Sequence, residues 1–516
     1  MRSRPVRGGR DRGTVQPDSP APLDTGIEGL NQILRGGLPP GQLYLLEGHP
    51  GTGKTTLAMQ FLMAGVRNGE SVLFVALSED ERELRASAAS HGWDLAGVDM
   101  LEIVPGEENL RPDARYTMYH PAEVELAATT KMVLAETEKR RPSRIVFDSL
   151  SELRLMAEDS LRYRRQILAL KHHFTRLGAT VILIDDRTGD EKEMHLHSLA
   201  HGVISLERVA PEYGTSRRRM QVAKLRGRAY AEGYHDFSIV CGGIQIFPRL
   251  IAADYPGVYL REEVRSGSEG LDSLLGGGLA KGTSTLILGA AGTGKSSLAG
   301  QYVCAAAARG EKAMIMIFEE SLPTFVERSR GLGMDVTALQ TAGRLEVQRV
   351  DPAQLTPGEF SHLLRQAIEH SDVTLVVIDS LNGYLNAMPN ERFLTLHLHE
   401  LLSYLSSQGV TTLLTMTNHG LVGADINVPV DASYLADNVL TLRYFEAFGQ
   451  VRKAISVIKK RTGSHETSIR EIWLDGRGIH IGEPIREFQG VLTGTPMVAD
   501  RQLGGIQARN GDGDRR

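Results

Sequence analysis

The sequence contains the octapeptide Gly48-His49-Pro50-Gly51-Thr52-Gly53-Lys54-Thr55, and 241 positions later it contains Gly289-Ala290-Ala291-Gly292-Thr293-Gly294-Lys295-Ser296. Both fit the pattern G-x-x-x-x-G-K-[ST]. Each stands between a short apolar run that predicts a strand and an amphipathic stretch that predicts a helix, which is the setting a P-loop requires. Two matches in the same setting predict two phosphate-binding loops and determine the fold around them.

We expect both loops to bind ATP. Glycines allow backbone N–H groups to turn toward the phosphates, and the helix start adds its positive dipole end. Lys54 and Lys295 should reach the β- and γ-phosphates, and the hydroxyls of Thr55 and Ser296 should bind Mg²⁺. The predicted ATP-binding residues are Gly51, Thr52, Gly53, Lys54, Thr55 and Thr56 in the first loop and Gly292, Thr293, Gly294, Lys295, Ser296 and Ser297 in the second.

The segments around the loops repeat as well, since Thr25–Leu30 before the first loop resembles Ser268–Asp272 before the second. A period this long indicates a duplicated domain rather than a solenoid. Continuous apolar runs separated by helical stretches are typical of a buried, largely parallel sheet. The predicted fold is therefore α/β, with two tandem P-loop NTPase domains, each a largely parallel sheet flanked by helices. The predicted strands are 43–47, 72–77, 144–148, 181–185, 285–288, 313–318, 374–379 and 411–415.

Changes in composition set the predicted domain boundaries. The length of 516 residues suits two domains of ordinary size with tails. We predict a disordered basic arm at 1–19, a first ATPase domain at 20–248, a linker at 249–261, a second ATPase domain at 262–495 and a disordered tail at 496–516.

Composition also limits the function classes. A formal net charge of −5 disfavours a protein that binds nucleic-acid phosphates. No apolar run reaches the ~18–20 residues of a membrane-spanning helix, so no membrane contact is expected. No apolar segment follows the N-terminal arginines as it would in a secretory signal. The two cysteines, Cys241 and Cys304, give neither a disulfide framework nor a zinc spacing. We expect a cytoplasmic protein.

One aspartate in each half ends an apolar strand, where parallel α/β sheets place ligand-binding groups. These residues, Asp148 and Asp379, are followed by Ser149-Leu150 and Ser380-Leu381. We expect them to contribute to the two Mg²⁺ sites. The alternative is that each aspartate only caps the helix that follows it.

Carboxylates also follow the strand after each P-loop helix, where a base for an attacking nucleophile is needed. Glu79 and Glu320 each lie 25 positions after the P-loop lysine of their domain, so Ser78 corresponds to Glu319. Alternation along a regular strand predicts that only one residue of each pair faces the nucleotide. The alternative is a solvated acidic loop. The predicted catalytic carboxylates are Glu79, Glu319 and Glu320.

From about Leu23 to Thr495 the chain resembles the KaiC-like branch of the RecA superfamily. The resemblance rests on the tandem P-loops, the Glu-Glu strand end, the Asp-Ser-Leu segments and three further stretches. Those stretches are Lys224-Leu225-Arg226-Gly227, Lys459-Lys460-Arg461 and 488–494. It implies two RecA-like domains in a homo-hexameric ring, with ATP and Mg²⁺ bound between subunits.

The resemblance also implies residue roles. The first domain is typically an ATPase, and the second typically phosphorylates its own chain on a Ser-Thr pair. Basic residues of the neighbouring subunit reach the γ-phosphate, and by position these are Lys224 and Arg226 in the first domain and Lys459 and Arg461 in the second. Alternate residues of a strand share one face, which suits this role. From the residues alone, a basic sheet edge that discourages strand pairing is the alternative.

The acceptor pair falls at Ser433-Tyr434, and Ser433 is the predicted phosphoacceptor. Tyr434 stands where the family's clock members have threonine. Its hydroxyl lies several ångströms further from the backbone than that of a threonine. The resemblance therefore does not extend to an ordered phosphorylation cycle on both residues of the pair. Ser78 stands where those members have a first glutamate, which leaves Glu79 as the sole carboxylate there. We therefore expect the more intact chemistry in the second domain.

Three functions are compatible with these features. The first is a signalling ATPase with serine/threonine autokinase activity that acts as a ring on an unknown partner protein. The second is a nucleotide-gated scaffold with little turnover, and the third is a RecA-type DNA-handling motor. The histidines at 172, 173, 195, 197 and 201 have no cysteine or paired carboxylate at ligand spacing, and we do not assign them a metal.

Overall fold

The computed structural model describes residues 20–103, 121–157, 159–187, 194–210, 214–257, 259, 262–351, 353–386, 394–418, 433–486, 488–491 and 497–498. The predicted basic arm at 1–19 and the end of the predicted tail, 499–516, lie outside these residues. The chain divides into two compact units that change over between Arg249 and Leu250, and Thr356–His362 groups with the first unit.

The first unit is built on a nine-stranded sheet in the order β3-β2-β4-β5-β1-β6-β7-β8-β9. Strands β3 to β6 in this order run parallel, and β7, β8 and β9 continue the sheet antiparallel. The strands are β1 (Leu43–Gly48), β2 (Val72–Ala76), β3 (Asp99–Glu102), β4 (Arg144–Asp148), β5 (Thr180–Asp186), β6 (Gly202–Val209), β7 (Arg217–Leu225), β8 (His235–Val240) and β9 (Gly243–Phe247).

Helices cover the parallel part of this sheet and bury its strands. Every residue of β1, β2 and β4 is buried, as expected for continuous apolar strands of a parallel sheet. The helices are α1 (Glu28–Ile33), α2 (Lys54–Arg67), α3 (Glu81–Ser90), α4 (Pro121–Arg140), α5 (Leu150–Ala157), α6 (Ser160–Leu177) and α7 (Met194–Leu199).

The second unit repeats the arrangement, with the sheet order β14-β13-β15-β16-β12-β17-β18-β19-β20. Its strands are β10 (Glu263–Val264), β11 (Leu279–Ala280), β12 (Ser284–Gly289), β13 (Lys312–Ile317), β14 (Leu345–Arg349), β15 (Val373–Asp379), β16 (Thr411–Thr417), β17 (Asn438–Ala447), β18 (Gln450–Lys460), β19 (Arg470–Asp475), β20 (Gly478–Pro484), β21 (Phe488–Gln489) and β22 (Met497–Val498). Its helices are α8 (Glu269–Leu274), α9 (Lys295–Ala308), α10 (Leu322–Gly331), α11 (Val336–Thr341), α12 (Pro357–Ser371), α13 (Leu381–Asn386) and α14 (Leu394–Ser407), after a 3-10 helix at Ala252–Asp254.

The predicted α/β fold of two tandem domains is confirmed. Strand β22 (Met497–Val498) lies past 495, the predicted end of the second domain. Each P-loop follows the carboxyl end of a central parallel strand, β1 or β12, where ligand sites of such sheets form. Within the part of the chain that the structure describes, no helix combines the length and the apolar character needed to cross a bilayer.

Candidate nucleotide-binding sites

The glycine before each P-loop lysine adopts a backbone conformation that would strain any residue with a side chain. Gly53 and Gly294 precede α2 and α9 with φ angles of 103° and 108°, a left-handed conformation that favours glycine. A Cβ on Gly53 would lie 2.7 Å from a methyl carbon of Ile239, and one on Gly294 would lie 3.2 Å from Leu474. A side chain from the antiparallel part of each sheet, Ile239 or Leu474, therefore lies close to the loop.

A threonine braces each loop from inside. The hydroxyl of Thr52 donates to the carbonyl oxygen of His49, and that of Thr293 donates to Ala290, both at 2.8 Å. The outer loop glycines, Gly51 and Gly292, are exposed at the mouth. Thr56 is half-buried beside Thr55, and Ser297 is buried beside the half-buried Ser296, at the start of the helix in each domain.

The two P-loop lysines have different partners. Lys54 donates to the carbonyl oxygens of Gly48 (2.9 Å) and His49 (3.0 Å), and it forms an ion pair with Asp186 at 2.7 Å. Lys295 donates to the carbonyl oxygens of Gly289 and Ala290 at 2.9 Å. Both ammonium groups are buried, so each depends on these acceptors when no phosphate is present.

The sheet register explains the difference. Gly48 at the end of β1 is paired with Asp186 of β5, whereas Gly289 at the end of β12 is paired with Thr417 of β16. The position beside the P-loop lysine therefore holds a carboxylate in the first domain and a hydroxyl in the second. In the second domain, burial lowers the pKa of Lys295, and the nearby carboxylates of Asp379 and Glu319 oppose this shift.

The candidate Mg²⁺ ligands of the first domain lie together. The hydroxyl of Thr55 donates to the Asp148 carboxylate at 2.9 Å, so a hydroxyl and a carboxylate oxygen meet at the mouth of the loop. Burial is the main cause that raises the pKa of Asp148 to about 6. The charges of Glu79 and Asp186 act in the same direction, and the bond from Thr55 and the charge of Lys54 oppose them. A buried carboxylate with few compensating cations fits the hard-oxygen preference of Mg²⁺.

The candidate metal ligand of the second domain lies at the matching place. Asp379 accepts a hydrogen bond from Thr415 at 2.5 Å and lines a cavity of about 560 Å³ together with Ser296. The peptide bond after each aspartate, Asp148 and Asp379, is cis.

The predicted alternation of Glu319 and Glu320 does not apply, because β13 ends at Ile317 and both residues lie beyond the strand. Both line the same cavity but have different partners. Glu319 accepts a hydrogen bond from the hydroxyl of Ser380 at 2.7 Å, next to Asp379. Glu320 forms a two-pronged ion pair with Arg328, at 2.8 and 3.1 Å.

Arg328 was not singled out from the sequence. Its other guanidinium nitrogen lies 3.4 Å from the hydroxyl of Ser297 in the P-loop helix. Glu320 is thus engaged by a cation at the rim of the cavity, while Glu319 is the carboxylate held beside the metal-ligand strand. Arg328 could not be found by the repeat, because the position that matches it in the first domain is Ser87.

The first domain has a single carboxylate at this place. Most of Glu79 is exposed, but the burial of part of its carboxyl raises its pKa, and the charge of Glu83 makes a smaller contribution in the same direction. Asp80, the next residue, caps α3 by accepting a hydrogen bond from the N–H of Glu83 at 2.7 Å. Ser78 supplies no charge at the position of Glu319.

The predicted trans-acting residues of the first domain are tied to their own chain. Lys224, in β7, donates to the carbonyl oxygens of His197 and of Ala200, the latter at 2.9 Å. Arg226, just after β7, donates to the carbonyl oxygen of Ser198 at 2.9 Å. Strand β7 pairs with β6 along Lys224, but its pairing with β8 covers only Arg218–Met220, so the edge-strand alternative stays open.

The second domain repeats these contacts. Lys459 donates to the carbonyl oxygens of Ser433 (2.9 Å) and Ala436 (2.7 Å), and Arg461 donates to that of Tyr434 at 3.0 Å. The predicted phosphoacceptor Ser433 is half-buried in a turn, and the side chain of Tyr434 is exposed. The basic pair therefore fixes the backbone of the acceptor turn.

These geometries lie within residues that match a known family. A family model described as the KaiC ATPase matches residues 23–251 and again 264–486. The circadian clock protein KaiC3 of Synechocystis sp. is 30% identical over 481 residues, which cover 92% of this chain and 94% of that protein. The circadian clock oscillator protein KaiC of Synechococcus elongatus is 28% identical over 92% of both chains, and that of Thermostichus vulcanus is 28% identical over 92% and 91%. With both P-loops inside the matched residues, this chain belongs to the KaiC family of ATPases and carries two ATP-binding domains in tandem.

Proposed function

We propose that this protein is an ATP-hydrolysing signalling protein that forms a homo-hexameric ring and phosphorylates Ser433 in its second domain. The observation that carries the proposal is the position of Glu319 in the cavity of the second domain. Glu319 is held beside Asp379 by Ser380, and the backbone of Ser433 is fixed by Lys459. A base and a positioned hydroxyl are the two groups that phosphoryl transfer requires from the protein.

The P-loop and strand ends hold the nucleotide in this proposal. Lys54 and Lys295 exchange their carbonyl and carboxylate acceptors for phosphate oxygens when ATP binds. Thr55 with Asp148, and Ser296 with Asp379, would hold Mg²⁺, which would neutralise charge that develops on the phosphoryl oxygens. The proximity of Thr55 to Asp148 supports this assignment.

The carboxylates activate the nucleophile. Glu319 accepts the proton of the attacking hydroxyl, which belongs to Ser433 in autophosphorylation and to water in hydrolysis. Glu320 positions Arg328 at the rim, and Glu79 is the carboxylate of the first domain, where we propose slower hydrolysis. Lys224, Arg226, Lys459 and Arg461 reach the nucleotide of the neighbouring subunit from the segments that they anchor.

The relatives with clock names support a signalling role in which a partner protein reads the phosphorylation or nucleotide state. We place the protein in the cytoplasm, which the two free cysteines, Cys241 and Cys304, support. The runner-up is the nucleotide-gated scaffold, which Ser78 and the ion-paired state of Glu320 favour. A DNA-handling motor has less support. Its basic stretch, the three consecutive arginines Arg217–Arg219 at the start of β7, includes Arg219, which is paired with Glu207 at 2.9 Å.

The test is incubation of the full-length protein with γ-labelled ATP and Mg²⁺, followed by mass spectrometry of the chain. We expect phosphate on Ser433, and we expect Glu319→Gln to remove it. Glu320→Gln is the matched control, because it changes the neighbouring carboxylate, which is ion-paired with Arg328. In this variant the label on Ser433 should remain.

Free phosphate without labelled protein would reduce the proposal to a plain ATPase. Nucleotide binding with neither product would favour the scaffold. Salt-sensitive retention on single-stranded DNA would instead support the motor.

A further inference from the structure

The first domain carries a histidine at the place that Ser433 occupies in the second. The match is made by contacts: Lys224 donates to the carbonyl oxygen of His197 as Lys459 donates to that of Ser433. In both domains the same lysine also bonds the carbonyl oxygen of the alanine three residues further on. The arginine two residues after the lysine, Arg226 or Arg461, donates to the carbonyl oxygen of the residue after the acceptor position, Ser198 or Tyr434.

Exposure follows the same pattern in both segments. His197 and Ser433 are half-buried, the residue after each is exposed, and the alanine three residues on is buried. The His197 side chain keeps 36% of its surface exposed. The two segments therefore match in exposure as well as in backbone contacts.

A buried carboxylate orients the His197 ring. Nε2 of His197 lies 2.8 Å from an oxygen of Glu47, whose side chain is 6% exposed. Glu47 also accepts a hydrogen bond from Ser205 at 2.6 Å and pairs with Arg187 at 3.0 Å. Because an ionised carboxylate only accepts, the proton of the neutral ring lies on Nε2, and Nδ1 carries the lone pair.

This arrangement also fits the replacement of Glu319 by Ser78 in the first domain. A serine hydroxyl must lose its proton as it attacks, and the second domain has Glu319 for that purpose. An imidazole nitrogen attacks through its lone pair and needs no base at the nucleotide, and the first domain has Ser78 at the position of Glu319. The acceptor type and the base therefore change together between the two domains.

We propose that His197 is a second phosphoacceptor of this protein, modified at Nδ1 by ATP bound to the first domain. The proposal rests on the function proposed above, because the donor is ATP on the P-loop of the neighbouring subunit in the ring. Nδ1 forms a bond to the γ-phosphorus, and the bond from that phosphorus to the bridging oxygen breaks. ADP leaves with the electron pair, and the Nε2 proton passes through Glu47 to solvent.

The test uses the full-length protein with γ-labelled ATP and Mg²⁺, with label on the chain measured after acid and after alkali. Phosphohistidine is lost in acid and survives alkali, whereas phosphoserine survives acid and is lost in alkali. We expect both classes of label, with the alkali-stable class on His197. Occupancy of both domains is checked in the same samples with a fluorescent ATP analogue.

Variants separate the two domains. His197→Gln should reduce the alkali-stable label to background and leave the acid-stable label, since glutamine keeps a donor toward Glu47. Lys54→Ala should remove only the alkali-stable class, and Lys295→Ala only the acid-stable class. His201→Gln is the matched control, because His201 lies one turn away with its ring against Tyr44, and it should retain both classes.

Transfer between subunits is tested by mixing Lys54→Ala with His197→Gln protein. Neither carries alkali-stable label alone, and mixing should restore it on the Lys54→Ala chain. Acid-stable label without alkali-stable label would overturn the proposal for His197 and leave the proposal for Ser433 standing. Alkali-stable label that persists in His197→Gln would also overturn the proposal for His197. Alkali-stable label alone supports His197 and overturns Ser433, and no label on protein occupied in both domains overturns both.

Discussion

The first and second domains have the same sheet but distribute their carboxylates differently. The first places Asp186 against the P-loop lysine and buries Glu47 in β1, where the second has Thr417 and Leu288. The second places Glu319 beside the metal-ligand strand, where the first has Ser78. The backbone therefore fixes where phosphates bind, and side chains at the strand ends determine what chemistry follows.

The largest expected effect comes from replacing Glu319 of the second domain by serine, the residue that the first domain has at that position. Glu319→Ser, made in a Lys54→Ala background so that only the second domain turns over, should lower phosphate release about a hundredfold, because the base is lost. Phosphate release at saturating ATP is the measurement. Glu320→Ser in the same background should cost less, and an equal loss for both would place the base elsewhere.

The reverse exchange should have a smaller effect. Ser78→Glu in a Lys295→Ala background should raise phosphate release from the first domain by about tenfold, less than a fully positioned base provides. Ser78→Gln controls for size without charge. An unchanged rate in Ser78→Glu would mean that this position does not set turnover in the first domain.

Exchanging the residue beside the P-loop lysine should change nucleotide affinity several-fold. Asp186→Asn removes an anion that competes with phosphate for Lys54, so the Kd of the first domain for ATP should fall about two- to fivefold, as for a partly exposed ion pair. Thr417→Asp should raise the Kd of the second domain by a similar factor. Titration with a fluorescent nucleotide, with the other P-loop lysine replaced by alanine, measures each domain separately.

A pH dependence of the first domain should be of similar size. Burial raises the pKa of Asp148 to about 6, so the carboxyl is protonated below that pH and cannot bind Mg²⁺ as an anion. Mg²⁺-dependent ADP binding by Lys295→Ala protein should therefore weaken about fourfold between pH 7.5 and 5.5, following the ionised fraction. The Mg²⁺ affinity of free ADP in the same buffers is the reference, and Asp148→Asn should remove the dependence.

Local patterns explain what could be predicted from the sequence. The P-loops, the strands that precede them and the aspartates at 148 and 379 follow from short motifs and continuous apolar runs, so the fold was accessible. The Lys54–Asp186 pair was not, because the strand register that joins β1 to β5 is set by packing across the sheet. Strand alternation failed at Glu319 because β13 ends at Ile317.

The match of His197 with Ser433 was hidden for another reason. Lys224 follows His197 by 27 positions, whereas Lys459 follows Ser433 by 26, so a constant offset does not align the two acceptor positions. The residue types also differ. Shared hydrogen bonds to carbonyl oxygens, which leave no mark on sequence, revealed the match.

Those bonds have a consequence for how the two halves of a duplicated chain can diverge. Lys224 and Lys459 hold main-chain oxygens, which every residue type possesses, so the hold does not depend on the side chain that is presented. A mutation can therefore replace the presented group while its location stays the same. After duplication, the reactive side chain of each copy could therefore change while the backbone contacts that position it stayed the same.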